Sequence, residues 1–304
     1  MRIVLIGQAA FGEAVLQRLV ENKEDVVAVF CPPDAPGSKS NPLRERAEQL
    51  GIPCHQPQKV RNPEVYDTFV QLNPDLNVLA FVTDIIPQRI LDLPRLGSIQ
   101  YHPSILPRHR GGSALNWAIL MGDDKTGLSI FWPDKGIDTG PILLQKEIGI
   151  GPDDTMGTIY FNKLFPLGVE AMAEAVRLVR EGKAPMIVQD ETEATYEGLC
   201  NEPLLLDWTQ PYLNVYRVIR GTNPSPGAYT TFQGKKVKII DSEARAGTAD
   251  EPGTVVEVGA ASFSVAARGG AIVVKRVQPE GSPKLKAPEF GQAVALKVGD
   301  RFGQ

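Results

Sequence analysis

The stretch Arg2-Ile-Val-Leu-Ile-Gly7, a helix-period segment through Phe11, Val15, Leu16 and Leu19, and the return to Val26-Val-Ala-Val-Phe30 decide the fold. A short apolar run closed by glycine, an amphipathic segment and a second apolar run make a strand–helix–strand unit. Strands covered on both faces read as continuous apolar runs and not as alternating ones. The alternation continues outward. Arg44–Leu50 reads as helix, a short extended piece precedes Pro53, Glu64–Leu72 is helical and Leu76–Phe81 is strand. Pro87–Leu93 is a short helix stopped at Pro94, and Ser98–Tyr101 is strand again. The pattern predicts an α/β fold with a mainly parallel sheet. In such sheets ligands bind beyond the carboxyl ends of the strands.

Past Tyr101 lies the proline-rich loop His102-Pro-Ser-Ile-Leu-Pro-Arg-His-Arg-Gly-Gly112, with a helix expected from Ser113. Gly127–Trp132 and Ile142–Ile150 read as strands joined by the turn Pro133–Gly140. Asp154 or Thr155 caps a long helix reaching Gly182, kinked at Phe165-Pro166. From Pro185 to Trp208 the chain reads as a linker, and Pro211–Arg220 as a helix. The pattern then changes. Ala228–Phe232, Lys236–Ile240, Thr254–Val258 and Ala271–Val277 alternate between glycine-rich turns, as in a small β-barrel or sandwich. The expected division is a catalytic domain over 1–184, a linker over 185–208 and a small β domain over 209–304.

A length of 304 residues suits two domains. With 42% hydrophobic and 22% charged residues, the composition excludes a disordered chain or a collagen-like repeat. Three cysteines, Cys31, Cys54 and Cys200, are widely spaced, show no CxxC pairing and fit a reducing compartment. No apolar run approaches the roughly 20 residues that span a bilayer. The first residues read as a strand and not as a signal peptide, so a cytoplasmic protein without a membrane partner is expected. The net charge of −4 is uneven. Residues 1–203 carry 19 Lys+Arg against 27 Asp+Glu (net −8), and residues 204–304 carry 13 against 9 (net +4). That is not the strongly basic footprint of a DNA or RNA binder.

Candidate chemistry is sparse. Gly7-Gln-Ala-Ala-Phe-Gly12 has Ala9 where a dinucleotide fingerprint needs its middle glycine, and no acid follows Phe30-Cys31, so NAD is not expected. His55, His102 and His109 are the chain's histidines. Their spacing matches no metal motif, and His55 reads as a structural residue in a surface loop. His102 directly follows a buried strand, and Pro103 restricts it to extended backbone. An imidazole held there suits acid–base work or oxyanion stabilisation, or equally a hydrogen-bonded structural role. Asp138, in Gly136-Ile-Asp-Thr-Gly140, is its natural partner, with Asp134 as the alternative and an Asx-turn as the plain reading. Arg108-His-Arg110 is either an anion site or a solvated loop.

Tyr101-His-Pro-Ser-Ile-Leu-Pro-Arg-His-Arg-Gly-Gly-Ser-Ala-Leu-Asn-Trp117, together with Gly136-Ile-Asp-Thr-Gly-Pro-Ile-Leu-Leu-Gln145, resembles the formyltransferases that use 10-formyltetrahydrofolate. Ala194-Thr-Tyr196, Asp207-Trp208, Arg220-Gly221 and Pro226-Gly-Ala228 continue the likeness over nearly the whole chain. Within the family the loop and the turn are most similar to the hydrolase domain of 10-formyltetrahydrofolate dehydrogenase. The resemblance implies a Rossmann-like domain followed by a small barrel-like, OB-like domain. It implies His102 and Asp138 as the catalytic pair. It also implies a pterin site from Phe81, Val82, Thr83, Asp84 and Ile85 with Pro133, Asp134, Lys135 and Gly136, and no metal. Where typical transferases of the family carry Asn two residues before the histidine, this chain has Gln100. An amide displaced by one methylene could cost ~10²-fold in rate, which points to hydrolase-like chemistry.

The implied partners are the folate co-substrate and a formyl acceptor, either water or an amine. Initiator methionyl-tRNA ranks second, because the loop Pro32-Pro-Asp-Ala-Pro-Gly-Ser-Lys-Ser-Asn41 carries a single lysine where the tRNA enzymes carry a basic insertion. A sugar-nucleotide or small amine ranks third. From another class, a folate-binding protein without catalysis remains as the contrasting reading.

Overall fold

The computed structural model describes residues 1–37, 39–247 and 250–304; Ser38 of the Pro32–Asn41 loop lies outside the described residues. Strand β1 (Arg2–Gly7) is buried over its last five residues, and helix α1 (Ala9–Glu21) turns Phe11, Val15, Leu16 and Leu19 inward at helical spacing. The pattern repeats through β2 (Asp25–Phe30), α2 (Pro42–Gln49), β3 (Cys54–His55), α3 (Pro63–Leu72) and β4 (Leu76–Ala80). It continues with α4 (Gln88–Leu91), β5 (Ser98–His102), α5 (Ala114–Met121), β6 (Lys125–Phe131) and β7 (Ile142–Gly149). The sheet order is β3-β2-β1-β4-β5-β6-β7. The β1–β2, β1–β4, β2–β3 and β4–β5 pairs are parallel, and β5–β6 is antiparallel, so the expected mainly parallel sheet is present.

The chain leaves β1 towards β2 on one side and later returns as β4 on the other, which opens a crevice at their carboxyl ends. Gly7 is required there. A Cβ on it would sit 2.4 Å from the Ala80 carbonyl oxygen, so any side chain would push β1 and β4 apart. Behind the sheet, Tyr101 of β5 packs on Phe11 with ring centroids 4.4 Å apart, and Gly168 leaves room for both rings.

The helix expected from Asp154 to Gly182 is divided. Thr155 caps α6 (Met156–Ile159), a π-helical turn spans Tyr160–Leu164, and α7 runs Phe165–Arg180. Pro166 has no N–H to donate, and the widened turn before it absorbs the missing bond. His55 is not in a surface loop. It ends β3, paired through Phe30↔His55, and its ring stacks on Phe30 at 4.7 Å. A two-residue strand gives no periodicity to read.

The chain forms two compact units, the first of Met1–Gly111, Gly127–Ile148 and Phe161–Tyr196, the second of Gly112–Thr126, Gly149–Tyr160 and Glu197–Gln304. The second holds β8 (Leu204–Leu205), α8 (Tyr212–Gly221), β9 (Ala228–Phe232), β10 (Lys235–Ala246), β11 (Val255–Val258), β12 (Phe263–Ala267), β13 (Gly270–Pro279), β14 (Leu285–Lys286) and α9 (Ala287–Ala293). Its sheet runs β11-β12-β13-β10-β9-β8, antiparallel except for β8–β9. Arg301 bridges Thr254 and Phe302 bridges Phe232, so the last residues join the two flanks of the sheet in a barrel-like manner. Phe302 stacks on Phe263 at 5.5 Å and lies 4.8 Å from Phe232, inside a core that includes Phe290. Strand β12 and helix α9 were absent from the sequence pattern, and β10 is longer than Lys236–Ile240 because a bulge at Ile239–Asp241 shifts its alternation. No helix among the described residues is long and apolar enough to cross a membrane.

Candidate active site

Strand β5 lies between β4 and β6, with Gln100 opposite Leu79 and Phe131, and His102 opposite Ser129. Strand periodicity places Gln100 and His102 on one face and Tyr101 on the other. His102 is buried. Its Nε2 lies 2.8 Å from the His109 carbonyl oxygen, and its Nδ1 lies 3.4 Å from Asp138 Oδ2. A carbonyl can only accept, so Nε2 carries a hydrogen. The Nδ1–Oδ2 approach is then a hydrogen bond when one further proton sits between imidazole and carboxylate.

Asp138 has the left-handed backbone φ of +56°, which costs a non-glycine residue on the order of 1 kcal/mol or more. Two groups hold it there. The Gly111 N–H donates to Asp138 Oδ2 at 2.8 Å, and Gln189 Nε2 donates to the Asp138 and Gly140 carbonyls at 2.8 and 2.7 Å. Gly140 itself has no alternative, since a Cβ would fall 1.7 Å from the Trp132 oxygen. The Asx-turn of this loop belongs to Asp134, whose Oδ1 accepts from the Gly136 N–H and the Thr139 hydroxyl at 2.9 and 2.6 Å. Asp138 is thereby left for the histidine.

Arg110 is neither a solvated cation nor an anion site. It is buried and forks onto Glu191 at 2.6 and 2.9 Å, while donating to Gln189 Oε1 at 2.8 Å. The Glu191 hydrogen bond raises the guanidinium's proton affinity and holds the Glu191 carboxyl below its ordinary value. Thr195 adds two more ties, accepting from the His109 N–H at its hydroxyl (2.9 Å) and from the Arg110 N–H at its carbonyl (3.0 Å). Ser129 fastens the start of the loop, donating to the Ser104 oxygen and accepting from the Leu106 N–H. The segment 189–195 therefore holds the histidine loop and the Asp138 turn together. Sequence reading missed Gln189, which stands 51 positions from Asp138 in a stretch read as linker, with no local motif to mark it.

The two expected pterin segments differ. Phe81, left-handed at φ +60°, begins a run in which Val82, Thr83 and Asp84 line a cavity of about 310 Å³ beyond the ends of β1, β2 and β4. Gln8 donates to the Thr83 hydroxyl at 3.1 Å, and Asp84 accepts from the Val60 and Ile85 N–H groups. Ile85, largely exposed, and Pro133, Asp134, Lys135 and Gly136 are not among that cavity's lining, nor are His102, Asp138 and Gln100. Among the described residues no group of three or more His, Cys, Asp or Glu side chains is placed to hold a metal.

Residues 1–176 match the formyl transferase family, and residues 201–294 match the formyl transferase C-terminal domain. The chain is 40% identical over 316 residues to the cytosolic 10-formyltetrahydrofolate dehydrogenase of Homo sapiens, across 98% of this chain and 35% of that protein. It thus spans about a third of the dehydrogenases it resembles. To the methionyl-tRNA formyltransferase of Geotalea daltonii it is 37% identical over 309 residues, across 100% of this chain and 98% of that one. Solved structures that share the fold include two with folate ligands. HypX from Aquifex aeolicus in complex with tetrahydrofolic acid has a TM-score of 0.69 at 19% identity, over 99% of this chain and 48% of that one. The N-formyltransferase from Helicobacter canadensis, with folinic acid and dTDP-3-aminofucose, has a TM-score of 0.68 at 17% identity, over 91% and 98%. With both parts of the family matched in order along its length, this chain belongs to the formyl transferase family.

Proposed function

We propose that the protein binds 10-formyltetrahydrofolate and releases its formyl group to water or an amine, with His102 and Asp138 as the reacting pair and Gln100 beside them. The carrying observation is the buried His102–Asp138 approach of 3.4 Å at a left-handed aspartate, at the carboxyl end of a sheet strand. In this reading the nucleophile attacks the formyl carbon and its proton passes to Asp138. Charge gathers on the formyl oxygen, and His102 with the Gln100 amide offsets it. The bond from carbon to folate N10 then breaks and N10 takes up a proton. Water gives formate and tetrahydrofolate; an amine gives its formamide and tetrahydrofolate. The pterin is assigned to Phe81–Ile85 and Pro133–Gly136.

A second reading, transfer to initiator methionyl-tRNA, is favoured by the relative from Geotalea daltonii that aligns along 98% of its length. The deciding experiment mixes the protein with 10-formyltetrahydrofolate and follows tetrahydrofolate, first in buffer and then with methionyl-tRNA or amino sugars. Turnover in buffer that no acceptor accelerates supports the hydrolase. Turnover only with one acceptor makes the chain a transferase. Folate that stays formylated under every condition overturns both.

A further inference from the structure

Cys31 and Cys54 stand 23 residues apart in sequence, yet their sulfurs are 3.7 Å apart. The sheet brings them together. Val29 and Phe30 of β2 pair with Cys54 and His55 of β3, and the Cys31 N–H continues the ladder by donating to the His55 oxygen at 3.0 Å. The ladder thus sets both residues on the same edge of the sheet. A disulfide needs about 2.05 Å between sulfurs, and because Cys54 pairs with Val29 and not with Cys31, the two thiols, 3.7 Å apart, close by side-chain rotation together with a shift of the strand ends. Cys31 lines the wall of the cavity past β1, β2 and β4, and Cys54 is half-exposed.

We propose that Cys31 and Cys54 form an oxidisable dithiol that closes to an intrachain disulfide on reaction with a hydroperoxide. Cys54 is the attacking sulfur. Cys54 is the less buried of the two, and the contact with Cys31 lowers its thiol, with the Arg44 guanidinium adding to that, against the opposing pull of burial and of Glu48 and Asp34. The same contact, with burial, pushes the Cys31 thiol up, which suits a resolving partner that keeps its proton. The Cys54 thiolate attacks the hydroperoxide oxygen, breaking the O–O bond to give a sulfenic acid and, after protonation, water or an alcohol. The Cys31 sulfur then attacks the sulfenic sulfur. The S–S bond forms, the S–O bond breaks, and hydroxide leaves with the Cys31 proton as a second water. Two electrons pass from the dithiol to the peroxide.

Cys200 is an internal control, because it is buried elsewhere in the chain and desolvation raises its thiol. The full-length protein is treated with hydrogen peroxide, unfolded, alkylated, digested and mass-analysed. The expected result is a dithiothreitol-sensitive cross-link between the Cys31 and Cys54 peptides, lighter by two hydrogens, with one of the three thiols still alkylated. In Cys31→Ser the sulfenic acid of Cys54 is trapped by dimedone, whereas Cys54→Ser leaves Cys31 unlabelled at the same peroxide dose. Full alkylation of both peptides under conditions that already oxidise Cys200 overturns the proposal. So does a cross-link that forms only between chains.

Discussion

At the residue scale, the backbone conformation of Asp138 matters as much as its carboxylate. An aspartate at φ +56° aims its side chain back at the end of β5, where an extended loop would aim it elsewhere. Replacing Asp138 by Asn keeps the shape and removes the proposed proton acceptor, and His102→Ala removes the group facing it. Each is expected to lower turnover by ~10²-fold or more while folate affinity stays within a few-fold. Single-turnover rates beside equilibrium binding check this, and near-normal turnover in either variant ends the paired-residue mechanism. Gln100→Asn shortens the amide by one methylene on the face shared with His102. Faster formyl transfer to an added amine in this variant would identify the amide's reach as the native limit.

At the element scale, the His102 loop and the Asp138 turn take their rigidity from the segment 189–195. Gln189→Leu keeps the volume but leaves the Asp138 and Gly140 carbonyls without their donor, which costs ~1–3 kcal/mol. The expected sign is a fall in kcat of about tenfold with folate affinity unchanged, since the turn that aims Asp138 relaxes. A matching loss of folate binding would mean that Gln189 supports the fold and not the site. The fork between Arg110 and Glu191 carries a pH dependence. Because Glu191 is held below its ordinary value in the folded chain, its contribution is fully present above the unfolded value of about 4.3. It is lost as pH falls through the lower folded value. Thermal melts of Glu191→Gln and the parent should therefore differ by a constant amount near neutrality and converge in acid.

At the scale of the whole molecule, the second unit depends on its last residues. Phe302 fills the centre of the Phe232, Phe263 and Phe290 cluster and carries one of the two bridges that join the flanks of the sheet. Phe302→Ala is expected to cost ~3–5 kcal/mol, seen as a lowered denaturation midpoint with an unchanged m-value. Charge is the other global property. A net of −8 over residues 1–203 and +4 over the remainder leaves few cations to neutralise a phosphate backbone. Initiator tRNA should bind weakly, with a shallow dependence on salt; nanomolar affinity at physiological salt would favour the tRNA reading instead.

The alternation of apolar runs and helical segments was readable because burial on a parallel sheet demands it residue by residue, and the His102-Pro-Ser and Asp138-Thr-Gly140 motifs were readable because they are local. Sequence by itself therefore determined the α/β class, the family resemblance and the two residues whose side chains the fold brings together. What lacked a local signature stayed hidden: the two-residue strand at Cys54–His55, the bulged β10, and the pairing of Cys31 with Cys54. The roles of Arg110 and Gln189 were hidden for the same reason. An exposed-looking arginine and a glutamine in an apparent linker become buried partners only when segments 51 to 81 positions away fold against them. Only the tertiary structure decides such pairings, because a hydrogen bond depends on distance in space, and chain separation does not encode it.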